Sequence, residues 1–224
     1  MGLPSRNIRF GKLEKMAYLA LKNAIRLHLD SILLFEHRSF ASSLQMSILA
    51  MEELGKACEL EHYCFHASVD SRPTPQEEQK WLSLLYNHPW KQGAAVGRDM
   101  IEYSPKFIQF VHDKKLDVTK QTATYVGLRR TRKGIDVAGR IQSPFSIRSS
   151  RARKQISLIN DILLEMCRVN LAQDQYFDIE GMDSLIDLKL RNHLKLKWKG
   201  RSRIRSPRWS KQWISQWLPH AISA

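Results

Sequence analysis

The chain has 224 residues with 36 Lys and Arg against 22 Asp and Glu, a formal net charge of +14, which is long enough for one domain with a real core, alone or with an appendage. Its three cysteines, Cys58, Cys64 and Cys167, exclude a disulfide framework and fit a reducing, cytoplasmic setting. No run of about eighteen apolar residues free of charge predicts a spanning helix, the opening MGLPSRNIRF lacks the apolar core of a signal peptide, and Arg6 stands where myristoylation needs Ser or Thr.

Residues 12–35 predict a first helix, with Leu13, Met16, Ala17, Ala20, Ala24, Leu27 and Leu34 on one face. The alanines there would let a neighbouring helix approach closely. Residues 43–66, SLQMSILAMEELGKACELEHYCFH, predict a second helix that is apolar nearly all round, which places it inside a bundle or at a subunit contact. On the helical wheel only Gln45, Glu52, Lys56 and Glu59 form a wedge polar enough for water. Glu53 falls outside that wedge, between Met46, Leu49 and Leu60. Its carboxylate is then expected to point into protein, where it requires a partner, and Lys56 one turn on is the nearest. The alternative is a solvated Glu52–Lys56 pair with Glu53 on a locally wet face.

DSRPTPQ, with Pro73 and Pro75, breaks the pattern. A third helical piece is expected over 77–86, interrupted at Pro89, and a fourth over 94–112, broken before Pro105. Residues 114–148 lack sustained periodicity and read as a long, basic, irregular segment, the kind that in a compact domain is functional or mobile. A fifth helix is expected from Ser149 or Ser150 to residue 177, then a short helix after Met182 and a basic tail. ATYVGL is the one stretch resembling a strand. The division this suggests is 1–178 for a bundle and 179–224 for a basic, Trp-containing extension. The fold class is all-α, without internal repeats.

The charge is local. Residues 188–217 carry ten basic residues and no acid, and residues 129–154 carry nine against Asp136 alone. Of the chemical candidates, Cys58, His62 and His66 fall at i, i+4 and i+8, with Cys64 nearby. The zincin pattern fails because Tyr63 follows His62. No fourth ligand is indicated, so packing at a helix end is the expected role and no metal or cofactor is expected. Nucleophile elbows, Walker loops and dinucleotide glycine patterns are absent.

ILAMEELGKA, residues 48–57, resembles the signature of AbiV-type abortive infection proteins, a phage-defence family of the HEPN superfamily. NHPWK resembles that family's His-Lys-x-Lys motif, with His88 and Lys91 at the matching ends. ATYVG, which holds Tyr125, resembles its Leu-Tyr-Val-Asp element, and QSP at 142–144 a proline-containing turn. The likeness spans residues 12–177 and carries Glu52, Glu53, Gly55, Lys56, His88, Lys91 and Tyr125 as family-motif positions. Pro89 departs from it in place of a lysine, and Gly127 in place of an aspartate.

The resemblance implies a HEPN-like bundle of about five long helices, usually a homodimer, that arrests growth of the infected cell, with a phage-encoded protein as a candidate activator. Many relatives in the superfamily are metal-independent ribonucleases with an Arg-x4–6-His motif. None of the eight histidines here has an arginine five to seven positions before it, so whether this chain is an enzyme stays open. The resemblance and the wheel meet at Glu53. Together with His88 and Lys91 it would make a buried acid–base cluster able to cleave RNA, with His88 as base or acid and Lys91 on the phosphate. The same residues would equally form a polar network fixing helix register or a dimer contact.

In the tail, Lys195, Lys197, Lys199, Arg201, Arg203, Arg205 and Arg208 interleave with Trp209 and Trp213. Cations for phosphates beside rings for bases suit RNA. An anionic membrane surface, or simple packing of the tryptophans, fits the same composition. Two functions follow: an effector acting on RNA or translation, or a non-enzymatic protein that binds a phage or host protein.

Overall fold

The computed structural model describes residues 6–70, 72–97, 105–131, 134–173 and 175–200. Among these, α1 (Phe10–Glu36), α2 (Phe40–Val69) and α7 (Ser149–Gln173) are the long helices. They are joined by shorter ones: α3 (Pro75–Leu84), α4 (His88–Gly97), α5 (Pro105–His112), α6 (Lys115–Thr122) and α8 (Leu188–Lys197). The all-α class stands, with eight helices among the described residues in place of about five.

α1 and α2 form a hairpin closed by Arg38, whose φ of 59° lies in the left-handed region. The alanine face of α1 is buried as its spacing predicts: Ala17, Ala20 and Ala24 lose essentially all exposure. α7 lays Ile156, Ile159, Leu163 and Met166 against the hairpin to complete the core. α3 starts where the proline break ends, with Thr74 and Glu77 in a reciprocal capping box and Pro75 at the first turn. Glu78, buried at 2 % exposure, ties three segments together. It accepts from Tyr63 Oη at 2.7 Å, from the Ile8 amide at 2.6 Å and from Arg72.

Three expectations change. Pro89 does not interrupt a helix but sits at the second position of α4, where a missing N–H costs nothing, and Asn87 Oδ1 caps the turn by accepting from the Trp90 amide at 3.2 Å. The segment 114–148 is not wholly irregular. It holds α6 and then an arm whose two-residue strands β1 (Arg130–Thr131) and β2 (Gly134–Ile135) pair antiparallel. Lastly, packing continues past residue 178. Met182, Ile186 and Leu194 are fully buried, and Trp198 donates from Nε1 to Ser157 Oγ at 2.9 Å while meeting Phe35 edge-on. Residues up to Trp198 thus belong to the bundle.

Candidate functional site

The second helix answers the question its greasy sequence raises. Glu52, not Glu53, is the buried carboxylate, at 1 % exposure. Of the polar wedge on α2, Glu52 faces the short helices α4 and α6, while Gln45, Lys56 and Glu59 keep partial exposure. Glu53 is half-buried on the α1 side, accepting from Asn23 Nδ2 at 3.3 Å, with no contact to His88 or Lys91. The wheel gave the angle between the two glutamates correctly. It could not tell which face would be covered by polar partners.

Those partners surround both oxygens of Glu52. Oε2 accepts from His88 Nδ1 at 2.7 Å and lies 3.9 Å from Lys91 Nζ. Oε1 accepts from Gln92 Nε2 at 2.8 Å and from Lys120 Nζ at 2.7 Å. His88, Lys91 and Gln92 come from the first turns of α4, and Lys120 from α6, where it also reaches Asp117 Oδ1 at 3.5 Å. Gly55 makes the arrangement possible. A Cβ there would fall 2.0 Å from the Lys91 carbonyl oxygen and 2.9 Å from the Ala95 amide nitrogen, so only glycine lets α4 cross α2 this closely. The EELGK cluster therefore holds one buried acid, one packing notch, and Lys56, whose Nζ rests 5.7 Å from the centre of the Tyr86 ring.

A carboxylate can only accept, so the short contact fixes the proton on His88 Nδ1. The His88 side chain is half exposed, and its Nε2 has no partner among the described residues. The result is a buried carboxylate that orients an imidazole and leaves the far nitrogen open to solvent. The same logic operates in acid–base pairs generally. Lys91 is the second unusual group. It is only 8 % exposed, and among the described residues its ammonium lies 3.9 Å from Glu52 Oε2, at the limit of an ion pair. Lys91 and Lys120 share the Glu52 carboxylate, and Asp117 gives Lys120 a second counter-charge. Beyond it, Arg151 of α7 donates to Thr119 Oγ1 and pins α6 in place.

The sequence singled out His88 and Lys91 but not Gln92 or Lys120. Gln92 lies one residue past the motif. Lys120 sits in a helix too polar to show periodicity, and its only trace is the i, i+3 spacing from Asp117. Tyr125, the remaining motif position, is not part of the cluster and lies 68 % exposed at the start of the arm. Cys58 and Cys64 are buried, and the His62 and His66 rings meet edge-on at 4.3 Å. Among the described residues no group of three or more His, Cys, Asp or Glu could hold a metal ion, and no helix is long and apolar enough to cross a membrane. Lys195, Lys197 and Lys199 are exposed, while Arg201, Arg203, Arg205, Arg208, Trp209 and Trp213 lie outside the described residues.

No curated protein and no solved structure matches the chain. A family model does, that of AbiV in the HEPN group, over residues 12–164, which include nearly all of α1, α2, the whole Glu52 cluster, the arm and most of α7. The match covers well over half of the chain and takes in every motif position from Glu52 to Tyr125. The chain is thus a member of the AbiV family of HEPN proteins, the family of abortive infection in defence against phage.

Proposed function

We propose that the protein arrests the infected cell by acting on RNA, and that Glu52 and His88 form its acid–base pair. The observation that carries this reading is the 2.7 Å contact between the buried Glu52 carboxylate and Nδ1 of a half-exposed histidine. In the reaction it supports, His88 Nε2 takes the proton of a ribose 2′-hydroxyl as the 2′-oxygen bonds to phosphorus. The bond from phosphorus to the 5′-oxygen breaks, that oxygen takes a proton from water, and His88 releases its own to solvent. Lys91 stabilises the charge that builds on the phosphate oxygens. The carboxylate holds the tautomer and stabilises the imidazolium once formed, a role that needs its burial. No Arg-x4–6-His motif is required, because the cation comes from Lys91 three residues on.

Purified protein incubated with total RNA, in the presence of a chelator, tests this. Wild type should fragment RNA, leaving 2′,3′-cyclic phosphate ends, whereas His88→Ala and Glu52→Gln should not. Intact RNA under all conditions, including with an added phage extract as trigger, would favour instead a protein that acts by binding a phage or host protein.

A further inference from the structure

Among the described residues, the arm between α6 and α7 concentrates exposed large hydrophobic side chains. Tyr125, Val126, Ile135, Val137, Ile141 and Phe145 are between 59 % and 96 % exposed, Phe145 being the most so. These side chains stand largely clear of the bundle, while Ile147, 7 % exposed, anchors the second leg in the core. Its two legs are joined at the base by Gly127 and Gln142, whose amides donate to each other's carbonyls at 3.0 and 2.7 Å, and again where the Asp136 amide donates to the Arg129 carbonyl at 3.0 Å. So many exposed apolar side chains on one short segment mark a binding surface.

Charge decides what it binds. Residues 124–148 carry Arg129, Arg130, Arg132, Lys133, Arg140 and Arg148 against Asp136 alone. Of these, Arg129, Arg140 and Arg148 are exposed on the described legs. Exposed rings beside guanidinium groups of one sign are the combination that holds an unpaired strand, rings on base faces and cations on phosphates. A duplex keeps its bases stacked and out of reach of such rings.

The placement adds direction. One leg leaves α6 a few residues after Lys120, which bonds Glu52. The other enters α7 a few residues before Arg151, which bonds Thr119 of α6. Both legs therefore spring from the two helix ends that border the Glu52 cluster. We propose that the arm is a clamp for single-stranded RNA, with Tyr125 and Phe145 stacking on bases and Arg129, Arg140 and Arg148 on the backbone, which delivers the strand to His88. This deepens the reading of the protein as acting on RNA and rests on it for the role of His88, but the binding itself can be measured independently.

The experiment is a fluorescence-anisotropy titration of full-length protein with a labelled, unstructured RNA of about 12 nucleotides, single-stranded or annealed to its complement. Working in a His88→Ala background reads binding whether or not the protein cleaves. Replacing Tyr125 and Phe145 by Ala should weaken single-strand affinity by about 5- to 150-fold per engaged ring, with the melting temperature little changed because both rings are largely exposed. Tyr125→Phe with Phe145→Tyr should restore it. Arg129→Ala with Arg140→Ala should flatten the slope of log affinity against log salt by about 1.4 for two phosphates. The single strand should bind more tightly than the duplex. Unchanged affinity in both pairs of variants, because the tail carries the RNA or because the arm docks a protein, would overturn the proposal. So would a preference for the duplex. A clamp that binds while wild type leaves RNA intact would instead retire only the catalytic role of His88.

Discussion

Replacing Gly55 by Ala probes the contact on which the whole site depends. The added Cβ would lie 2.0 Å from the Lys91 carbonyl oxygen, 2.9 Å from the Ala95 amide nitrogen and 3.0 Å from the Lys91 carbonyl carbon. All three atoms are backbone, so no side chain can swing aside. Restoring an ordinary carbon–oxygen separation of about 3.3 Å requires α4 to retreat by roughly 1.3 Å. Carried to the motif, that displacement takes the His88 and Gln92 contacts from 2.7 and 2.8 Å out of hydrogen-bond range. Overpacking costs about 1–3 kcal/mol and loss of the buried Gln92 bond to a charged group about 1.5–3 kcal/mol. The higher helix propensity of Ala returns about 1 kcal/mol. The net loss is roughly 2–5 kcal/mol, or a fall in melting temperature of about 4–20 °C for a chain of this size. Thermal unfolding followed by circular dichroism measures it. A variant melting within about 1 °C of wild type would refute the close crossing of α2 and α4, since this loss would shift Tm several times further.

Other outcomes follow from the same geometry. Glu52→Ala leaves Lys91 and Lys120 without their shared counter-charge and should cost about 3–5 kcal/mol in chemical denaturation; adding Lys120→Met should recover part of it. Burial lowers the pKa of His28, fully enclosed with Nε2 3.1 Å from Asn160 Oδ1, from 6.5 to about 4. The unfolded chain therefore binds this proton first, so stability should fall as pH drops from about 6.5 to 4, by roughly 3 kcal/mol in all. His28→Leu should flatten that limb of the pH–stability curve. Leu19 and Leu33 of α1 remain about half exposed, and we expect sedimentation at micromolar concentration to show a homodimer; a species of 26.1 kDa alone would count against it.

Where the sequence was informative, a strong local rule operated. The apolar spacing of α1, α2 and α7 determines three long helices because each buries a continuous stripe, and the prolines before α3 end one helix and open another. The motif positions His88 and Lys91 came from resemblance; that Gly55 is what admits their helix against α2 is visible only in the structure. The identity of the buried acid did not come through. Periodicity orders residues around a helix but does not say what lies opposite. Glu52 shares its face with Lys56 and Glu59, which reads as solvated until α4 and α6 are seen to cover it. α6 itself was missed because Lys115–Thr122 is nearly all polar, anchored by Leu116 and Thr119 alone. Trp198 read as part of a basic tail, yet Ser157 and Phe35 claim it for the core. Local composition cannot reveal a pairing made across more than forty residues of chain.

If the Glu52–His88 pair carries the defence activity, loss of His88 must show in the infected cell. The most direct measurement is phage plating on cells that express wild type or His88→Ala at equal, verified protein levels. Because His88 is half exposed and its loss opens no cavity, the variant should fold and accumulate normally. We predict that plating on the variant returns to that of cells lacking the protein. Protection by folded His88→Ala equal to that of wild type would show that the pair does not carry the activity.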